Sequence, residues 1–417
     1  MDSNEVVNAF QNDSLGSDDA VGIADKIKKG EVSASLVTQD AIERAKAVNP
    51  KLNAITVENF DLAQTNSEKP FSGFFQGVPT FIKDTDEVPG LPLYLGSRSL
   101  PGEPSDKYSK AAKQIIDTGL NCLGTTTTPE FGLTGTTESL RFGATCNPWN
   151  TAYSTGGSSG GSSALVASGV IPIAHANDGA GSIRIPASCC GLVGLKASRG
   201  RIKDKEVPSY LPANILHDGV VTRSVRDTWA FHAEIEKNIP ATEFPPIGDI
   251  SESFPKNLKI ALLTENCLGE DSSAELVQAT HDVARLCESL GHEVEMISNP
   301  FYKKFDEDFW LLWAHFGFLI RYSVGKELSS KFDHTQLEQW PKYLISRHWR
   351  NIHKVPVAFW RLRRFVSQYE TFMQNFDILL TPTLGTTVPK LGFFGPEVSG
   401  QEHWERINAV SYTHLRA

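Results

Sequence analysis

Apolar positions along the chain fall into short stretches of alternating helical and extended spacing. After a polar tail, residues 1–18, Asp19–Lys29 reads as a short helix stopped by Gly30. Ser33 can cap a second helix, in which Val37, Ala41, Ala45 and Val48 recur on one face. Apolar runs of strand length then alternate with helical ones, beginning with "GVPTFIKD" (Gly77–Asp84) and "KAAKQIIDTGLNCLG" (Lys110–Gly124). The clearest later unit is a strand at Lys259–Leu263, a helix at Ala274–Leu290 stopped by Gly291, and a strand at Glu293–Ile297. This alternation predicts an α/β fold. Between Phe301 and Trp349 the aromatic density rises, and Phe309, Trp313, Phe316 and Ile320 share a helical face. Such a stripe usually packs a core, with a ligand funnel as the lesser expectation.

Composition narrows the function classes. The chain has 417 residues, 40% of them hydrophobic, enough for a large core, and its formal charge of −9 is spread along the sequence. That spread argues against nucleic acid or an anionic membrane as the main partner and favours a small neutral ligand. The six cysteines (Cys122, Cys146, Cys189, Cys190, Cys267, Cys287) form no CxxC pair and read as buried, reduced thiols. The amino-terminal stretch is acidic and lacks an apolar h-region, and no run reaches the length of a membrane span. A cytoplasmic protein that does not cross a membrane is expected.

The stretch "STGGSSGGSSALVASG" (Ser154–Gly169) is the most unusual. As a linker it should mark a boundary, yet it runs directly into a short helix with Ser at its start and Gly at its end. A phosphate loop would need lysine where Ser162 stands. Matches to G-x-S-x-G centre on Ser158 and Ser159, but a nucleophile elbow requires a preceding strand, and "NPWNTAYSTGG" carries no apolar strand pattern. His175 reads as a structural residue at a strand end instead of a base.

The next segment brings these residues together. "VIPIAHAN" reads as a strand and "DGAGSIRIP" as a loop carrying Ser182. A helix and the strand after it run antiparallel, so Ser158, before the helix, can approach Ser182, after the strand. Lys83 closes "VPTFIK"; if that strand runs parallel, Lys83 projects from the same edge, where α/β sheets place ligands. Two serines and a lysine can activate a serine without histidine.

"GVPTFIKDT", "STGGSSGGSSALVASG" and "NDGAGSIRIPASCCGLVGLKASRGRI" resemble the consecutive signatures of the amidase signature family of serine hydrolases, over roughly Ala20 to Leu384. "HANDGAGSIRIPAS" is similar to the branch that contains 6-aminohexanoate-cyclic-dimer hydrolases. The resemblance implies a mixed, twisted central sheet covered by helices on both faces, and a single domain over residues 19–412. It implies Ser182 as nucleophile, Ser158 as proton relay after a cis peptide, and Lys83 as base. A lysine base must be neutral, so burial has to work against its charged form. Backbone amides of Gly179, Ala180, Gly181 and Ser182 would form the oxyanion hole. Ala180 stands where the family commonly has glycine, and serves only if its φ is negative. Ser159, Asp178 and Arg184 are expected to support the site; Cys189 and Cys190 are expected to take no part in catalysis. Neither metal nor organic cofactor is implied, the substrate would be a small linear or cyclic amide cleaved through an acyl-enzyme, and a homodimer stays open. An amidotransferase-type glutaminase subunit and a catalytically idle scaffold of the same fold are the rival expectations. The family's pattern would continue past the end of this chain, so "THLRA" (413–417) reads as a non-native ending to a domain that lacks its last part, less stable than a completed one.

Overall fold

In the computed structural model, which describes residues 5–202, 209–212, 214–238, 244–248, 255–266, 269–302 and 304–410, local signals act where the sequence places them. Helix α1 (Ala20–Lys29) starts at Asp19, whose carboxylate accepts from the Gly22 amide, and ends at Gly30 with φ 72°. Helix α2 (Ala34–Leu52) starts at Ser33, whose hydroxyl accepts from the Leu36 amide, and buries Val37, Ala41, Ala45 and Val48. Both caps satisfy amides that have no partner inside a helix.

The sheet layer is built from three-stranded sets. In the first, β1 (Ile55–Glu58), β2 (Pro79–Lys83) and β3 (Asn121–Thr126) are arranged with β3 in the centre, antiparallel to β1 and parallel to β2. All residues of β2 and β3 are buried, which suits their continuous apolar and small-residue runs. In the second, β4 (Ile173–Asp178) pairs antiparallel with β5 (His217–Thr222) in a register that sets Asp178 opposite His217. Side chains join the two sets: Thr80 Oγ1 donates to the Ile173 carbonyl at 3.0 Å, and the Lys83 amide donates to His175 Nδ1 at 3.1 Å. Strands β2 and β4 therefore run in the same direction and end together. In the third set, β6 (Lys259–Leu262) is parallel to both β7 (Glu293–Met296) and β8 (Ile378–Leu380), with helix α5 (Ala274–Ser289) crossing from β6 to β7.

The Gly/Ser stretch forms helix α3 (Gly160–Ala167), buried from Gly160 to Val166 and packed against β2, β4 and β5. A helix buried all round needs small residues where backbone comes close. A Cβ on Gly161 would lie 2.7 Å from the Ala54 carbonyl oxygen, and one on Gly157 would lie 2.5 Å from that of Thr136. Of its two buried hydroxyls, that of Ser162 lies 2.6 Å from the His175 carbonyl and 2.8 Å from Thr126 Oγ1, while that of Ser163 has no hydrogen-bond partner among the described residues.

Two expectations change. A short strand, Asn150–Ser154, does precede the serines, paired antiparallel with Cys146–Asn147; half-buried and polar, it shows no apolar alternation to read. It ends four residues before Ser158, so it builds no nucleophile elbow. The segment read as a polar tail packs on the domain over residues 5–18: Val7 and Leu15 are buried, and Asp13 receives the guanidinium of fully buried Arg44. Cys267 and residues 413–417 lie outside the described residues.

The loop after β3 is tied to helix α7 (Gln339–Asn351), which follows α6 (Phe305–Leu319), by two buried carboxyl groups. Glu130 accepts from the Glu338 amide at 2.7 Å, and Glu338 accepts from the Leu140 amide at 2.7 Å. Burial, and for Glu338 the nearby charge of Glu130, pushes both pKa values above the ordinary carboxylate range. With folded pKa values above the unfolded ones, their contribution is complete below the unfolded value and is lost as pH rises through the folded values. Thermal melts across pH 5–9 should therefore show Tm falling as pH rises toward about 8, a slope that Glu338→Gln flattens; an unchanged slope would refute the assignment.

Candidate active site

Strand β2 delivers Lys83 into the interior, with its side chain fully buried. Its Nζ donates to Ser158 Oγ at 2.7 Å and to Asn177 Oδ1 at 2.6 Å. Asn177 in turn donates through Nδ2 to Thr85 Oγ1 at 2.6 Å. Because side chains two apart share a face of a strand, His175 and Asn177 of β4 both turn toward Lys83, one meeting its amide and the other its amine. Ser158 follows a cis peptide after Gly157, and the first amide of α3, at Gly160, donates to Thr137 Oγ1. Ser159 Oγ lies 3.3 Å from both the amide and the carbonyl of Asn177, which ties the serine turn to β4.

Ser182 stands on the loop between β4 and helix α4 (Arg184–Cys190), whose range precedes α5 in the chain. Asp178 holds this loop. It accepts from the amides of Gly181 (2.7 Å) and Ile183 (3.2 Å) and from Arg184 Nε and Nη2, both at 2.9 Å. Burial acts to raise the Asp178 pKa, but Arg184 and the two amides outweigh it and hold the carboxyl below the usual range. The Gly181 amide is thus committed to Asp178, a correction to the expected set of four oxyanion donors. Gly181 has φ 110°, and a Cβ there would lie 2.7 Å from Ile185 Cδ1, so glycine is required. Ala180 lies outside the positive-φ region, the condition its side chain demands.

Ser158, Asn177 and Ser182 line one cavity of about 410 Å³. Ser182 also borders a smaller apolar pocket of about 50 Å³ with Gly157 and Ala180. Across Gly179 and Ala180 lies a third cavity, about 140 Å³, with Arg184, Lys196 and Arg199 in its wall. Phe309 and Trp313 of the aromatic stripe belong to a buried cluster, as expected of a core, and Trp313, Phe316 and Ile320 also line the 410 Å³ cavity.

Asp86, His175 and Asp218 are buried with their ligand atoms within 4.8 Å of one another. His175 Nδ1 accepts from the Lys83 amide, so the neutral ring carries its proton on Nε2, 3.3 Å from Asp218 Oδ1. That tautomer has no lone pair to offer a metal at Nε2, and the cluster reads as a prop for Lys83. Cys189 and Cys190 are free and buried, and burial pushes the Cys189 thiol up to about 12, far from a nucleophile at neutral pH.

Asn177 and Thr85 were not singled out from the sequence. Asn177 adjoins Asp178 in the quoted motif, and the period-two rule on β4 was the available signal. Thr85, contacting from another strand's end, left none.

A sequence model of the Amidase family matches residues 36–415. The Mycobacterium leprae protein named AmiC is 41% identical over 98% of this chain and 88% of its own length. The 6-aminohexanoate-cyclic-dimer hydrolase of Paenarthrobacter ureafaciens is 38% identical over 66% of this chain and 58% of its own. Among solved structures, a 6-aminohexanoate cyclic dimer hydrolase with substrate superposes with a TM-score of 0.82, at 29% identity over 95% of this chain and 87% of that one. A bacterial aryl acylamidase of the amidase signature enzymes superposes with a TM-score of 0.77, at 27% identity over 89% and 81%. Among the described residues no helix is long and apolar enough to cross a membrane.

Removing the Arg184 guanidinium would leave Asp178 buried without its charged partner, a change that costs about 3–5 kcal/mol. Arg184→Leu should accordingly lower Tm by several degrees; a melting curve within 1 °C of the parent, as an order-of-magnitude threshold for a domain of this size, would show that the pair does not hold the loop.

Proposed function

This chain belongs to the amidase signature family of carbon–nitrogen hydrolases, and from that premise we propose that it cleaves a small linear or cyclic amide through an acyl-enzyme on Ser182. The observation that carries the reading is Lys83 Nζ, buried, 2.7 Å from Ser158 Oγ in the wall of the cavity that Ser158 shares with Ser182. Ser182 Oγ attacks the amide carbonyl while Ser158 Oγ takes its proton and passes its own to Lys83 Nζ. The oxyanion that forms is met by amides of Gly179, Ala180 and Ser182, since that of Gly181 is engaged by Asp178. Collapse breaks the carbon–nitrogen bond, and the leaving amine recovers the proton through Ser158. Water then attacks the acyl-Ser182 ester along the same relay, releasing the acid and restoring the serine.

Each part has a physical requirement that the chain meets. The relay needs a hydroxyl fixed between amine and nucleophile, and the Gly157–Ser158 turn, packed on Thr136, fixes it. The base needs a dry environment, and Lys83 is fully buried. The hydrolysis of a 6-aminohexanoate cyclic dimer and of an aryl acylamide by similar proteins supports a small amide as substrate.

A fluorophosphonate probe followed by peptide mass mapping tests the assignment. Labelling is expected on Ser182 and should disappear in Ser182→Ala. Lys83→Ala should lower the labelling rate and kcat/KM by about 10³-fold or more, in keeping with the loss of a general base. A label on another residue, or full-rate labelling of Lys83→Ala, would overturn the roles proposed.

A further inference from the structure

The 410 Å³ cavity that Ser158 and Ser182 share has a charge pattern that amide hydrolysis as such does not require. Five carboxylates line it, those of Asp86, Glu87, Asp178, Asp218 and Glu327, and among its described lining residues there is no lysine or arginine. They are not equivalent. Asp178 is neutralised by Arg184, while Asp86 and Asp218 flank His175 Nε2 at 3.9 and 3.3 Å. Glu87 is half-buried and accepts from the Ser105 hydroxyl at 3.0 Å. Glu327 stands exposed near the mouth. Between these acidic groups the wall is apolar, with Leu95, Trp313, Phe316 and Leu319.

A half-buried carboxylate beside an apolar wall draws a cation, and repels an anion, more strongly than one in open water. On the reading of this site as an amide hydrolase, we propose that the cavity selects amides in which an aliphatic chain ends in an ammonium group, and that Glu87 receives that group while Glu327 attracts it at the entrance. The methylenes of such a chain lie on Trp313 and Phe316, and Ser182 meets the amide at the other end. A carboxylate in the same position would meet the like charge of Glu87.

The test compares kcat/KM for 5-aminopentanoyl, pentanoyl and glutaryl p-nitroanilides, and for pentanoyl amides of 1,5-diaminopentane and of pentylamine, which place the ammonium on the leaving side. In at least one pair the ammonium substrate is expected to lead its neutral counterpart by about tenfold, equivalent to about 1.4 kcal/mol. The lead should shrink at high ionic strength and fall to about twofold or less in Glu87→Gln, with a smaller fall in Glu327→Gln, the exposed position that serves if Glu87→Gln fails to fold. Equal rates in both pairs, a lead that survives both substitutions, or a preference for the glutaryl anilide would overturn the proposal. The last outcome would move charge recognition to the cavity bearing Arg184, Lys196 and Arg199. Turnover of none of these substrates by a chain whose Ser182 still takes the fluorophosphonate would overturn it too. Absence of that label would instead strike the hydrolase reading beneath it.

Discussion

Burying the amino group of Lys83 is the constraint to which the surrounding structure answers. An amine in a protein interior is costly unless oxygen atoms stand within reach, and here Ser158 Oγ and Asn177 Oδ1 come within 2.7 and 2.6 Å. To bring them there, two strands that share no backbone ladder must finish level with each other. The contacts from Thr80 to Ile173 and from Lys83 to His175 set that level, so the register of β2 against β4 is fixed by side chains. A one-residue slip would turn His175 and Asn177 away from Lys83 together.

The glycine-rich turn is the other half of the same solution. Ser158 must enter from a third direction, over a backbone already occupied by Thr136, and only glycine fits at 157. The helix that follows carries no polar face to water, because it runs through the centre of the domain. Small side chains let neighbouring elements close on it, and the Ser162 hydroxyl is paired internally, with the His175 carbonyl. Composition that resembles a linker is therefore what a close-packed central helix requires.

How much of this was legible depends on the range over which each interaction acts. The stop at Gly30 and the cap at Ser33 are local, and so were readable one helix at a time. The β6–α5–β7 unit was equally plain because its period changes from two to 3.6 and back within a short span. Convergence of Lys83, Ser158 and Ser182 needed strand direction as well as spacing, and the family resemblance supplied the roles proposed for them. The amide of Gly181 was misassigned because only the folded loop reveals that Asp178 has already taken it. The amino-terminal segment was misjudged for a similar reason. Its apolar residues, Val6, Val7, Ala9, Phe10 and Leu15, are few and show no clear period, and the partner that holds it, Arg44, lies in α2.

Trp313 shows why core and site cannot be separated in this fold. Its indole donates to the Leu133 carbonyl at 3.1 Å, and Trp340 of α7 donates to the same oxygen at 3.0 Å. One backbone carbonyl thus joins two helices to the loop that walls both pockets beside Ser182. Near Ser182 the wall is therefore set by buried indoles whose polar atoms are already satisfied, which leaves them little freedom to move aside. Farther along, it passes to Val324, half-buried, and Leu328, exposed, in shorter helical turns. If Ser182 attacks the amide as proposed, a change in the length of the distal chain meets the more exposed end of this cavity, whereas bulk next to the scissile bond meets the packed one. Discrimination close to the carbonyl should then be steep and discrimination by distal length shallow, because the same packing that stabilises the domain defines the space around Ser182.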